Sequence, residues 1–394
     1  MPAFDETIFR HAKHFLEVLR ETNELYDSGN ASADTVLQSF QENWPNIQLG
    51  LERVAQKIDD SQPAAKMCIA YASAGWAILD ARQHPREHAR WRQSAVLAAR
   101  RLGEKEAEGR NLALMATIHS FLGETHLAIE YGQQALQLAR QFGDKQTEGR
   151  ALSTLGIALQ VRGENQKAIV LLKEAVATLR QEGDFDNLNG SLSALAHVYY
   201  TMGDARQAIE QASEALEISQ QLGDRMGMAN ALNFLGNAYA NLGEIRHAIE
   251  LYEQSLVISR GIGYRRAEGN AVGNLGITYY DLGDYQKAVE CYEQSIMIRR
   301  EIGDRRGESQ NLGNLGLAYF ALGDFPHAIE CHEQSLVISR ESDDQRGIGQ
   351  DLGNLGDTYL ALGDLPRALS CLTESLNIFR AIGDRRSEGI TLKI

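Results

Sequence analysis

A period of forty residues constrains this chain more than any other feature. Residues 231–263 read ALNFLGNAYANLGEIRHAIELYEQSLVISRGIG, and close copies begin at Ala271 and Asn311. Leu235, Gly236 and Tyr239 return as Leu275, Gly276 and Tyr279, as Leu315, Gly316 and Tyr319, and as Leu355, Gly356 and Tyr359. Each trio is followed by an alanine, at 248, 288, 328 or 368. A supersecondary unit copied at fixed period cannot bury its apolar face alone. Stacking its copies gives a solenoid.

Within the unit, Leu232, Leu235, Gly236 and Tyr239 follow the i, i+3, i+4, i+7 rule and define one helix, A. Leu242-Gly243 interrupts it. Ala248, Tyr252, Leu256 and Ile258 then supply the stripe of a second helix, B, ending near Gly263. Glycine followed by aspartate, as at Gly203-Asp204, Gly283-Asp284, Gly303-Asp304 and Gly323-Asp324, ends one helix in the left-handed conformation and caps the next. Small residues at Gly236 and Ala248 let A and B approach closely, and Tyr239 is expected to fill the space between hairpins. The fold class is all-α, a solenoid of antiparallel helix hairpins.

The spacing of Leu275, Gly276 and Tyr279, with the later Ala288, Tyr292 and Ser295, resembles the tetratricopeptide repeat. The period departs from that family's thirty-four residues, and Arg300 stands where the shorter repeat often has a helix-ending proline, so helix B is longer here. Forty-residue units carrying GNLG and GDRR are similar to the LGN/Pins group of cell-polarity scaffolds and to the arrays that follow the nucleotide-switch domains of large bacterial signalling proteins. The resemblance covers about residues 104–394. It implies a right-handed superhelix whose groove binds peptides, with Asn and Arg positions on helix A among the contacts.

A net charge of −14 argues against nonspecific binding to nucleic acid, and no run of about eighteen apolar residues suggests a membrane span. The opening MPAFDETIFRHAKH lacks a signal peptide's apolar segment, so the expectation is a cytoplasmic chain. Cys291, Cys331 and Cys371 are spaced by one repeat and Cys68 stands apart. Equivalent sites on stacked hairpins lie about 10 Å apart, beyond disulfide reach, so reduced thiols are expected. A metal shared with His332 would need converging ligands, and neither metal nor cofactor is expected.

Residues 1–103 follow the repeat poorly and are read as an N-terminal helical cap with one degenerate repeat at 64–103. Helices are expected up to the turn at 27–30, from Ala33 to Trp44-Pro45, from Pro45 onward, and from Pro85 to Leu102. Trp44, Trp76 and Trp91 all fall here and are expected to close the end of the core. The run Arg82, Arg86, Arg90, Arg92, Arg100 and Arg101, with His84 and His88, reads as a solvated face, with docking of an acidic partner as the alternative. Seven regular repeats occupy 104–383, and 384–394 begin an incomplete eighth. Without a covering helix, Leu376, Ile378 and Phe379 are expected to lie open, which suggests a fragment or a homodimer through that end.

No catalytic motif survives inspection. GNAVGNLG at 269–276 lacks GxGxxG and follows no strand, while Glu250 and Glu290 recur as solvent faces of helix B. His119 reads as a packed ring. With Leu235 and Tyr239 buried, the exposed edge of helix A is expected to hold Asn230, Asn233, Asn237 and Asn241, then Asn270, Asn274, Tyr280 and Asp281, then Gln310, Asn314 and Phe320, then Gln350, Asn354 and Asp357. Amides donate to and accept from a peptide backbone, so this strip suits an extended protein segment, with Tyr280 and Phe320 as apolar anchors. Arg110 and Arg150 hold the position of Asn230 and Asn270 and would select an acidic residue. The reading is a non-enzymatic adaptor. The alternatives are a peptide-sensing regulator, by its helical cap and seven repeats, or the sensor of a larger nucleotide-dependent signalling protein.

Overall fold

A computed structural model describes residues 2–28, 33–75, 78 and 85–392. Every regular element among them is a helix. Four precede the repeats: α1 (Pro2–Ser28), α2 (Ala33–Ala55), α3 (Gln62–Ala74) and α4 (Pro85–Leu102). Hairpins follow as α5/α6 (Lys105–Phe121, Thr125–Phe142), α7/α8 (Lys145–Val161, Asn165–Glu182), α9/α10 (Phe185–Thr201, Ala205–Leu222) and α11/α12 (Arg225–Asn241, Ile245–Gly261). Then come α13/α14 (Arg265–Asp281, Tyr285–Glu301), α15/α16 (Arg305–Leu322, Phe325–Glu341), α17/α18 (Gln345–Ala361, Leu365–Ile382) and α19 (Arg385–Thr391). The chain divides into two compact units, Met1–Arg265 and Arg266–Ile394.

The junctions are built as the dipeptides require. Gly223 and Gly383 take φ values of 69° and 73°, and the aspartates after them, Asp224 and Asp384, accept from the backbone N–H of Gly227 and Ser387. Asp343 departs from the rule, standing at φ 54° where the neighbouring repeats have glycine.

Two recurring polar ties join the helices. Inside a hairpin, a buried serine of helix B donates to a helix A carbonyl: Ser255 to Ala229, Ser295 to Gly269, Ser375 to Gly349, at 2.7–2.8 Å. Between hairpins, a buried glutamate early in helix A is clamped by an arginine of the preceding helix B and a basic residue of its own first turn. Glu148 thus meets Arg140 and Lys145, and Glu308 meets Arg300 and Arg305. The helices approach closely where Gly236 faces Tyr252 and Gly276 faces Tyr292.

In the first unit, α1 to α4 share one apolar cluster containing Leu19, Phe40, Ile47, Val54, Cys68, Tyr71 and Trp91, all buried. Trp44 stacks on Trp91 with centroids 5.4 Å apart, and Tyr71 meets Trp91 edge-on. Trp76 lies outside the described residues. Met226 of α11 packs against the same cluster, so α1 to α4 reach α11 as well as the adjoining α5.

Three expectations fail here. Pro45 opens no helix but lies inside α2. Ile47, Leu51 and Val54 beyond it bury in the same cluster as Val36 and Phe40 before it, and that shared burial keeps the segment helical despite the lost N–H. Arg92 is no part of a solvated face, being 2% exposed, whereas Arg86, Arg90, Arg100 and Arg101 are exposed and Arg82 and His84 lie outside the described residues. Phe379 is buried rather than open, because its ring fills the space beside Gly349, and Leu376 and Ile378 are half-buried. Exposed apolar side chains near this end include Leu365, Leu369, Ile382, Ile390 and Leu392.

Candidate functional site

The A-helix edge differs between the two units. In the first, Arg110 of α5 is exposed and Arg150 of α7 is half-buried, its Nε donating to Asn187 Oδ1 at 3.0 Å. Asn230 and Asn237 of α11 are half-buried, and Asn237 Oδ1 already accepts the Tyr252 hydroxyl at 2.7 Å. Asn241 is exposed and donates to the Tyr200 carbonyl.

Asn233, expected on this edge, faces the other way. It is buried, and its Nδ2 donates to Ala229 O at 3.2 Å and Ser255 Oγ at 2.8 Å, inside the hairpin. Residues 229, 233 and 236 form a stripe turned toward helix B. The equivalents of Asn233 in the next three repeats are Gly273, Gly313 and Gly353. That run of glycine is a signal of close helix approach, and it could have removed Asn233 from the edge.

In the second unit, Asn270 Oδ1 accepts from Arg299 Nη2 at 2.8 Å, so that amide is engaged. Asn274, Asn314 and Asn354 are different. Each is half-buried, one per hairpin on α13, α15 and α17, and their side-chain amides have no hydrogen-bond partner among the described residues. Gln310 and Gln350 are exposed one turn earlier. Asp357 stands one turn after Asn354, its Oδ1 buried without a partner among the described residues and its carboxyl raised above the usual range by that burial. Asp281 is raised for the same reason.

Aromatic groups flank this edge. Tyr280 packs on Tyr285 at 5.2 Å and Phe320 on Phe325 at 5.5 Å, across the A–B turns of their hairpins. Phe320 is 36% exposed. Each anchor is therefore held by a second ring and still presents a face.

The arrangement offers donors, acceptors and apolar faces at a fixed spacing, and among the described residues of this edge no nucleophile is paired with a base. His119 is a packed ring, stacked on Tyr131 and bonded to Glu124. The four cysteines are unbridged, and burial pushes Cys68 and Cys331 up to about 12, away from thiolate chemistry. Among the described residues no group of three His, Cys, Asp or Glu side chains is placed to hold a metal, and no helix is long and apolar enough to cross a membrane.

The sequence matches the family model of the tetratricopeptide repeat over residues 91–181, 188–261, 266–341 and 307–381, well over half of its length. No curated protein matches it. Among solved structures it is similar to a Rap protein complexed with Competence and Sporulation Factor, at 15% identity and a TM-score of 0.60, covering 95% of this chain and 99% of that one. It is also similar to a signal-transduction ATPase with numerous domains and a tetratricopeptide repeat sensor from Pyrococcus horikoshii. There the identity is 18% and the TM-score 0.57, over 89% of this chain and 55% of that one. BtubC from P. vanneervenii is 24% identical at a TM-score of 0.50, over 56% and 92%.

Proposed function

The chain belongs to the tetratricopeptide-repeat family, and on that premise we propose that it is a non-enzymatic adaptor holding an extended protein segment along the A-helix edge of residues 266–394. The observation that carries this reading is the ladder of Asn274, Asn314 and Asn354. A half-buried amide with no partner in the protein can exchange its water for the donors and acceptors of a bound segment. A peptide backbone repeats donors and acceptors and can bond such amides without regard to its own side chains. Tyr280 and Phe320 then add apolar anchors, and Gln310 and Gln350 add exposed amides. Asn270 positions Arg299 and is a support rather than a contact.

The test is a peptide-display selection against the intact chain, repeated with Asn274, Asn314 and Asn354 all changed to Ala. Peptides that bind the parent and lose about tenfold or more in the variant would support the ladder. Peptides that bind both equally would overturn it.

A second reading, a peptide-responsive regulator, is favoured by one contact in the first unit. Tyr26 of α1 hydrogen-bonds the carbonyl of Ile262 at the end of the fourth repeat, so the cap is attached to the body it would regulate. The Rap protein structure, by its description a complex with a factor, agrees in fold. A selected peptide that alters hydrogen exchange of α1 would favour this reading over a passive adaptor. Unaltered exchange would favour the adaptor.

A further inference from the structure

In every hairpin of the second unit a leucine stands exposed where helix A turns into helix B. Leu282, Leu322 and Leu362 are 44–54% exposed. Each is flanked by two large apolar side chains, one from the last turn of helix A and one from the first turn of helix B. These are Tyr280 and Tyr285, Phe320 and Phe325, and Leu360 and Leu365. The aromatic pairs meet ring to ring across their turns, and Leu360 and Leu365 are both exposed. Together they make an apolar rim along the A–B turns of this unit.

Hairpin folding does not require this rim. The same two flanking positions hold Ser120 and Thr125 in the first repeat, and Gln160 and Asn165 in the second, and those hairpins form all the same. The third and fourth repeats carry one large apolar flank each, in Tyr200 with Ala205 and Ala240 with Ile245. Only the last three carry two. A stripe of apolar side chains that the fold does not need marks a contact surface. Its charges have one sign once the pairs are removed. Lys287 and Arg367 are paired with Asp284 and Asp364, and His327 is bonded to Asp324. Asp281, exposed beside Tyr280 and Leu282, and Asp357, one turn before Leu360, are in no ion pair among the described residues.

Equivalent positions on adjacent hairpins lie about 10 Å apart. A helix returns to the same face every seven residues, about 10.5 Å along its axis. An extended strand covers that distance in about three residues and arrives with the opposite face. We propose that this rim docks a basic amphipathic helix of a partner protein. It lies across the three A–B turns with one apolar side chain per hairpin at seven-residue spacing, and with lysine or arginine toward Asp281 and Asp357. The rim adjoins the amide ladder, with Tyr280 and Phe320 at the border, but the proposal stands without the reading above.

The experiment titrates the full chain into fluorescein-labelled peptides of about twenty residues, long enough as helices to cross three hairpins, and reads anisotropy. The first peptide is built of Ala, Gln and Lys with leucine at every seventh residue. The second has the same composition with its leucines spread round the helix, the third has Glu in place of Lys, and the fourth repeats Leu-Pro-Pro, which reaches a similar spacing as a polyproline helix. The first is expected to bind about tenfold tighter than each of the others. Leu282→Gln, Leu322→Gln and Leu362→Gln together change only exposed side chains and are expected to weaken that binding about tenfold or more. Asp281→Asn with Asp357→Asn is expected to narrow the preference for Lys over Glu, and Ala at Asn274, Asn314 and Asn354 to leave binding unchanged. No binding of the first peptide, equal binding of the second or fourth, or binding that the leucine variant keeps in full would overturn the rim. Binding lost in the asparagine variant and kept in the leucine variant would overturn it in favour of the ladder.

Discussion

The hydroxyl of Tyr26 donates a 2.9 Å hydrogen bond to the carbonyl of Ile262, joining the last turn of α1 to the end of α12 across 236 residues of sequence. With Met226 packed on the same N-terminal cluster, this contact makes α1 to α4 part of the body formed by the first four repeats. Tyr26→Phe keeps the ring and loses the bond, and is expected to cost about 0.5–1.5 kcal/mol. Tyr26→Ala also loses the buried ring and is expected to cost about 3–5 kcal/mol. Urea unfolding measures both, and equal, negligible costs would mean that the cap does not hold the fourth repeat.

A Cβ at Gly276 would lie 2.7 Å from Cε1 of Tyr292, closer than side chains tolerate. Gly276→Leu is expected to destabilise by about 1–3 kcal/mol through overpacking. The third repeat carries Ala196 and Ala212 at these two positions, a small residue facing a small residue. The double change Gly276→Ala with Tyr292→Ala is therefore expected to cost less than the sum of the single changes. Strict additivity in a double-mutant cycle would show that the two positions do not meet.

Asp343 holds a left-handed conformation that neighbouring repeats give to Gly303 and Gly383. An L side chain is disfavoured there, aspartate less than most. Asp343→Gly is expected to raise stability by roughly 0.5–1 kcal/mol, read as a rise in Tm. A fall would mean that the Gln345 side-chain bond to Asp343 outweighs the backbone cost.

Two buried groups of the second unit titrate with opposite sign. His332 is fully enclosed with neither ring nitrogen partnered among the described residues, and burial lowers its pKa from 6.5 to about 4. Between those values the unfolded chain binds a proton that the folded chain does not, so the contribution is complete above 6.5 and drains away as pH falls toward 4. Asp351 is raised from 3.8 to about 6 by burial, with Ser335 and Ser339 donating to its Oδ2 in partial compensation. Here the folded chain holds the extra proton, so stability is greatest below 3.8 and declines as pH rises through 6. Each effect is on the order of 3 kcal/mol, at about 1.4 kcal/mol per unit. His332→Phe is expected to remove the loss on the acid side. Asp351→Asn, the arrangement already present at Asn311 beside Ser295, is expected to stabilise the chain at neutral pH and to change little near pH 4. Urea midpoints across this range test both, and parallel profiles for parent and variants would refute the assignment.

Asn274, Asn314 and Asn354 make no internal side-chain bond among the described residues, so changing all three to Ala is expected to cost at most about 0.5 kcal/mol each. Asn233→Ala, by contrast, removes a buried donor from Ser255 and Ala229 and is expected to cost about 1–3 kcal/mol. Thermal unfolding of the two variants separates edge amides from interior ones. A triple variant as unstable as Asn233→Ala would mean that the ladder is structural.

What sequence alone determined about this protein is whatever depends on local spacing. A forty-residue period, an i, i+3, i+4, i+7 stripe and a Gly-Asp junction specify hairpins, their ends and their stacking, because helix geometry and capping are properties of a few adjacent residues. The same spacing placed Asn274, Asn314 and Asn354 on one edge. Tertiary structure alone decided which amides remain available: Asn233 turns inward, Asn237 is taken by Tyr252 and Asn270 by Arg299, and each of those partners comes from another helix. It alone also turned Arg92 from one member of a basic run into an enclosed cation bonded to Asn111, and carried Tyr26 to Ile262. Burial and hydrogen bonding between elements far apart in the chain depend on how helices pack within each unit, and no local pattern encodes that packing.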